Sequence, residues 1–175
     1  ADDSADPTGL AATPISADHG THIAGIACAD DRNGIGVVGV SGGARLLSVN
    51  AAHPTQDRVI AHGYEGILYA ALSGAQVINA SWGRTGRWSD FEADVLAAVE
   101  EMGSVVVAAA GNLLTDREFF PAYYPTVLSV TSIRGTLVHD FGANSAGWID
   151  LSAPGVTIVS TLPGDRYDSR RGTSQ

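Results

Sequence analysis

Cysteine is almost missing from this chain, Cys28 being the only one. A single thiol cannot close an intrachain disulfide, and it excludes both a disulfide scaffold and a cysteine-rich metal centre, while leaving the redox compartment open. Basic charge is also scarce. Ten Lys and Arg face nineteen Asp and Glu, for a formal net charge of -9. A surface of that sign is a poor match for a phosphate backbone, which excludes nucleic acid as a leading partner. Long apolar runs are absent too. The longest, such as "SVVVAAAG", are far too short to span a bilayer, and no charged-then-apolar signal opens the chain, so a secretion signal would have to lie upstream. What remains is ordinary for a soluble domain with a sizeable core: 175 residues, 45% apolar and 17% charged.

Residues 1–18 are rich in Ala, Asp, Ser, Thr and Pro without an apolar period, and read as an irregular opening segment of a single domain spanning 1–175. A helix is expected to begin near His19. "ARLLSVN" at 44–50 reads as a strand. The stretch 57–73 places Ile60, Tyr64, Ile67, Leu68, Ala71 and Leu72 on one helical face, and "QVINAS" returns to strand. "SDFE" is a capping box in which Ser89 caps and Glu92 reaches back, with Phe91, Val95, Ala98, Val99 and Met102 on the face behind it. "SVVVAAAGN" suits a parallel strand buried on both sides. "TVLSVTS" and "GVTIVST" are further strands. Alternation of this kind predicts an α/β fold in three layers, a mainly parallel sheet flanked by helices. In such sheets ligands bind beyond the carboxyl ends of the strands.

Polar clusters sit at such places or open a helix: "DHGTH" at 18–22, "NASWG" at 79–83, "AAAGN" at 108–112 and the terminal "RRGTSQ". They offer an imidazole, a side-chain amide behind a buried strand and a hydroxyl between Gly-Thr and Gln, which are the parts of an acyl-transfer site. Singly, each has a blander reading as a surface histidine, a turn asparagine or a solvated serine. "GIGVVG" at 34–39 has the glycine spacing of a dinucleotide loop, but it follows a polar turn rather than a strand and leads to a strand rather than a helix. Cys28 is expected to pack as a small buried residue on the His19 helix.

In combination, "HGTHIAGI", "AAAGN" and "GTS" resemble, in order, the histidine, oxyanion-asparagine and nucleophile motifs of the subtilisin-like serine proteases, or subtilases. "NGIGVVGV", "VINASWG", "FPAYYPTVLSV" and "DLSAPGVTIVSTLPG" are similar to other subtilase segments, so the resemblance covers nearly everything after residue 18. It implies a subtilisin-like fold and a secreted serine endopeptidase that needs no cofactor for catalysis, acts on polypeptides and is a monomer. By the same resemblance His19 is the general base, Ser174 the nucleophile and Asn112 the oxyanion donor, while His22 is a packed neighbour. Ser81, Trp82 and Gly83 would pair with an extended substrate, and Ala109, Ala110 and Gly111 would form the other wall of the specificity pocket. That pocket is expected to admit a large side chain, unless Leu113 and the loop to Phe119 narrow it. Asn33 is a candidate ligand for a structural calcium ion, with turn formation as its alternative. Phe120-Pro121 matches a position that is often cis.

The family's third catalytic group, an aspartate after an apolar strand, has no counterpart among Asp2, Asp3, Asp6 and Asp18, and the small-residue helix that follows the family's serine is reduced to Gln175. The chain is therefore expected to be the middle of a larger catalytic domain, with its aspartate upstream of Ala1, and to be inactive by itself. Two rival readings remain: a peptide ligase or macrocyclase on the same site, and a non-catalytic peptide-binding module.

Overall fold

The computed structural model describes residues 14–56 and 59–175. The helix that carries His19 and His22, α1 (Pro14–Cys28), begins earlier than expected. Proline fixes its own φ near the helical value and lacks only a donor that the first turn cannot use, so Pro14 opens the helix rather than preventing it. The irregular reading thus fails for 14–18, and its remainder, 1–13, lies outside the described residues.

Four strands form one parallel sheet in the order β1 (Val77–Ala80), β2 (Val105–Ala109), β3 (Val127–Ile133) and β4 (Leu151–Pro154). Asn79 stands beside Val107, and Ala109 beside Val130, so the ends of β1 and β2 lie level. β4 was not expected from the sequence. It pairs with β3 on one side, ends at Pro154 and is exposed throughout, a short edge strand in which a proline is tolerated. The sequence "GVTIVST" forms β5 (Ile158–Leu162), which leaves this sheet and pairs antiparallel with β6 (Arg166–Arg170). The fold is thus a mainly parallel sheet flanked by helices, with a hairpin beside it.

No strand forms over 44–50. Leu46 is 57% exposed, and apolar composition alone builds no ladder where no neighbouring strand supplies hydrogen bonds. The helix expected over 57–73 is shorter, α2 (Gly63–Leu72), and Ile60 instead forms an isolated bridge with Ala52. Residues 57 and 58 lie outside the described residues. The buried face of α2 is Ile67, Ala70 and Ala71, while Leu72 is 70% exposed.

The helix α3 (Asp90–Glu101) starts where the sequence places it. Ser89 Oγ accepts from the Glu92 N–H at 3.4 Å, and Asp90 and Glu92 add negative charge at the positive end of the helix dipole. Only half of the capping box forms, because the Glu92 carboxylate turns instead to Tyr64, Arg84 and Tyr124. The core face is Leu96 and Val99, with Ala93 packed against it, whereas Phe91 is 68% exposed and Met102 is also exposed. Val99 is common to this stripe and the one expected, and the spacing of three from Ala93 through Leu96 to Val99 replaces the rest.

One core joins α2, α3 and the sheet through Ile67, Ile78, Leu96, Val99, Val106, Phe120 and Tyr124. β2 is buried at Val106, Ala108 and Ala109, but Val105 is exposed, so burial on both sides holds only for its carboxyl half. α1 packs on β5, where Ser160 Oγ donates to His22 O at 2.8 Å and Thr161 Oγ1 to Thr21 O at 2.9 Å. Gly25 lies so close to both side chains that any Cβ there would overlap them. Cys28, near the end of α1, is half-buried rather than buried.

Candidate active site

The turn after β2 and the end of the chain meet through short-range polar contacts. The Thr173 N–H donates to Asn112 Oδ1 at 2.9 Å, and the Gly111 N–H donates to Thr173 Oγ1 at 3.1 Å. A backbone amide can only donate, so the Asn112 atom facing it must be the carbonyl oxygen, which turns Nδ2 away as a donor. Among the described residues Nδ2 has no hydrogen-bond partner, and neither does the Ser174 N–H. Asn112 Nδ2 and the Ser174 N–H are therefore both unspent donors, on residues that the Thr173–Asn112 bond ties together, and unspent donors are what stabilisation of an oxyanion requires. Gly111 has φ +103, in the left-handed region that favours glycine, and this lets the chain turn sharply between the buried Ala110 and Asn112.

Ser81, just beyond β1, meets the Ser174 segment reciprocally. Its Oγ donates to Ser174 O at 3.0 Å, and Ser174 Oγ donates to Ser81 O at 3.2 Å. Asn79 Nδ2 donates to Ser81 Oγ at 2.9 Å and orients it. A partly open cavity of about 170 Å³ adjoins this group, lined by Asn79, Ser81, Thr131, Ser132, Gly155 and Ser174 among others. Trp82 packs edge-on against Tyr64, with ring centroids 5.6 Å apart.

His19 is not joined to this group by a hydrogen bond. Among the described residues its ring nitrogens have no partner, and the Ser174 hydroxyl spends its proton on Ser81. His19 is half-buried. Burial lowers its pKa from the usual histidine value, and the nearby charges of Arg170 and His22 lower it further. Asp18, adjacent in sequence, is turned toward β6, 3.9 Å from Arg166 and 3.7 Å from Arg170, and forms no bond to the imidazole. His22 is fully buried, with Nε2 3.2 Å from Asp168 O, in keeping with a packed role.

Several residues that position the site carried no sequence signal. Asn144, in a stretch that reads as a turn, is fully buried. Its Nδ2 donates to Ala110 O at 2.8 Å, its Oδ1 accepts from Leu113 N at 2.9 Å, and its own N–H donates to Gly111 O at 2.9 Å. It thereby holds the turn that presents Asn112. Asp140, also buried, accepts from Arg171 Nε at 3.1 Å and from Ser132 Oγ at 3.2 Å, with a further contact to Arg171 Nη2. The Arg171 guanidinium holds the Asp140 carboxyl below its ordinary pKa. This pair ties the residue just before Gly172 to the 140–144 segment.

Other expectations resolve locally. The "GIGVVG" loop opens no helix; Gly34 and Gly36 take positive φ in an irregular turn. Asn33 Oδ1 accepts from the Ile35 N–H at 2.9 Å, so Asn33 is a turn former, and Asp30 and Asp31 face Arg32. Among the described residues no three of His, Cys, Asp and Glu converge as metal ligands. The Phe120-Pro121 peptide is cis. No helix among the described residues is long and apolar enough to cross a membrane.

Residues 2–175 match a family model described as the Subtilase family. A thermophilic serine proteinase of Bacillus sp. (strain AK1) is 41% identical over 156 residues, covering 89% of this chain and 39% of the relative. Thermitase of Thermoactinomyces vulgaris is 38% identical over 156 residues, covering 89% of this chain and 56% of the relative. The chain thus spans about two fifths to a little over half of the length of these relatives. Among solved structures, an S218A mutant of the protease domain of PatA superposes with a TM-score of 0.80 at 27% identity, covering 90% of this chain and 59% of that one. The prenylagaramide maturation protease PagA gives the same TM-score at 24% identity, a likeness of fold.

Proposed function

The chain belongs to the subtilase family, and from that premise we propose that the whole protein is a serine endopeptidase working through an acyl-enzyme at Ser174. The observation that supports this reading is the bond from the Thr173 N–H to Asn112 Oδ1 at 2.9 Å, which ties Asn112 to the residue before Ser174 while Asn112 Nδ2 and the Ser174 N–H stay unspent among the described residues. In the proposed reaction the Ser174 hydroxyl leaves Ser81 O, passes its proton to His19 and attacks the scissile carbonyl carbon. The carbonyl oxygen becomes an oxyanion bonded by the two donors. His19 then protonates the leaving amine, and water hydrolyses the ester by the reverse path. Ser81–Gly83 would pair with the extended substrate as an added strand, and the 109–111 segment would form the facing wall. The protein is proposed to act outside the cell, with residues 1–175 as part of a larger peptidase domain.

The test is labelling of the whole protein by a serine-directed fluorophosphonate, with Ser174→Ala and His19→Ala alongside. Labelling of wild type that Ser174→Ala abolishes and His19→Ala strongly slows is expected. Equal labelling of wild type and Ser174→Ala would remove the nucleophile from the reading. The unbonded His19 ring and the turning of Asp18 toward β6 favour one second reading, a peptide-binding module without turnover. It predicts peptide binding with no labelling at all.

The acid limb of the pH profile follows first from the burial of His19 and then from the position of Arg170. A cation near the imidazole disfavours its protonated form, so His19 stays a usable base below the ordinary histidine range. Arg170→Gln removes that cation, raises the His19 pKa and shifts the acid limb of kcat/KM to higher pH. Arg166→Gln, which alters a charge that meets Asp18 but is not among those acting on His19, leaves the limb in place.

A further inference from the structure

We infer that Phe119 closes the specificity pocket and restricts the residue on the acyl side of the scissile bond to small side chains; the inference rests on the peptidase reading above. The two walls assigned to that pocket end in Gly83 and Gly111, and the Phe119 ring lies against both. A Cβ built on Gly111 would stand 3.0 Å from Phe119 Cγ and 3.1 Å from Cδ1. One built on Gly83 would stand 2.9 Å from the same Cδ1 and would overlap Cε1. The edge of a single ring therefore fills the gap between the glycines, where the substrate side chain must enter.

The backbone that carries the ring is held in place. It is clamped to the first wall by the bridge between Arg84 and Phe120, with Arg84 N to Phe120 O at 2.8 Å and Phe120 N to Arg84 O at 2.9 Å. Phe119 O accepts from Tyr123 N at 2.9 Å on the other side. The next residue, Phe120, is buried in the core, and a Cβ on Gly83 would lie 2.7 Å from its carbonyl oxygen. Moving the Phe119 backbone outward would thus require breaking the bridge or unpacking Phe120, which leaves the ring only rotation about its own side-chain bonds. The small residues on both walls, which by sequence alone suggest a roomy pocket, instead make space for a phenyl ring of the protein itself. A methyl-sized side chain fits above such a floor. A benzyl or isobutyl group meets the ring, and close-packed protein surfaces yield little to such overlap.

The test uses the whole protein and two peptide anilides identical except for Ala or Phe on the acyl side of the cleaved bond. Wild type is expected to prefer Ala by about 10–100-fold in kcat/KM, the range that a misfit of a few methylenes produces. Phe119→Ala should raise the Phe-to-Ala ratio of kcat/KM by about the same factor, with Phe119→Leu intermediate. Should Phe119→Ala fail to fold, the wild type still decides: Ala- and Phe-containing peptidyl phosphonates must label Ser174 at rates differing in the same direction. Ser174-dependent turnover with Phe preferred, or with a ratio that Phe119 variants leave unchanged, overturns this inference alone. Absence of any Ser174-dependent labelling overturns the peptidase reading, and this inference with it.

Discussion

Asn112→Ala is expected to lower kcat by about 10²–10³-fold, the effect of one oxyanion donor in a subtilisin, while KM stays within about threefold. The split between the two constants is the informative part. Asn112 Nδ2 has no partner among the described residues in the resting molecule, so losing that donor costs little before substrate binds, although Asn112→Ala also removes the Oδ1 that accepts from the Thr173 N–H. A planar carbonyl accepts weakly in that direction, whereas the tetrahedral oxyanion accepts fully, so the loss falls on the transition state. Asn112→Asp sharpens the test. Its carboxylate can still accept from the Thr173 N–H at the site where Oδ1 now sits 2.9 Å away, so the local fold is kept. It replaces the donor with negative charge facing a developing oxyanion, and its kcat should fall below that of Asn112→Ala. Steady-state kinetics on a peptide anilide read both. A rise in KM with unchanged kcat would instead assign Asn112 to ground-state binding.

Glu92→Ala is expected to destabilise the protein by about 2–4 kcal/mol, read as a lower denaturant midpoint at unchanged slope. The Glu92 carboxylate accepts from Tyr64 Oη at 2.8 Å, Tyr124 Oη at 2.7 Å and Arg84 Nη2 at 2.7 Å. Arg84 is nearly half exposed and can turn to water, so its share is small. The larger part comes from the tyrosine hydroxyls, above all that of the fully buried Tyr124. Burial and the bond to Glu92 push the Tyr124 pKa up to about 12, and push that of Tyr64 up as well. For Glu92 itself, burial raises the pKa, but the bonds from Arg84, Tyr124 and Tyr64 more than offset it, and the net shift is downward. A depressed carboxyl pKa contributes stability that is present above the unfolded value, about 4.3, and is lost as pH falls through the folded value. The difference between wild type and Glu92→Ala should therefore be full near neutrality and shrink in acid. Arg84 follows directly on Gly83, so the same substitution loosens the segment proposed to pair with substrate.

Legibility from sequence divides along the range of the interactions. The start of α3 was readable because Ser89 caps a helix three residues away, and the strand "VINA" because its neighbours flank it in a regular α/β alternation. The face of α3 was not. Phe91 and Met102 are as apolar as Leu96, and only the sheet they might cover decides which of them is buried. Residues 44–50 failed as a strand for the same reason, since a ladder needs a partner that composition does not name. At the candidate site, the motifs around Asn112 and Ser174 drew attention to the residues themselves. Thr173, Asn144 and the Asp140–Arg171 pair, which hold them, work through bonds that no local pattern marks. Phe119 is the clearest instance: read along the chain it is one aromatic in a loop, and only the two glycines brought against it give it a task.

The bonds that assemble the Ser174 group also have a kinetic meaning. Ser81 and Ser174 are 93 residues apart, Gly111 and Thr173 62, Asn112 and Thr173 61. Each closes a long loop, and non-local contacts of this kind are made after the local ones, once their loop entropy has been met by the parallel sheet between them. During folding, the helices α2 and α3 can be in place while Asn112 still lies far from Ser174. The proposed chemistry would then arise late, in a chain whose own segments are already packed and no longer extended enough to be cut.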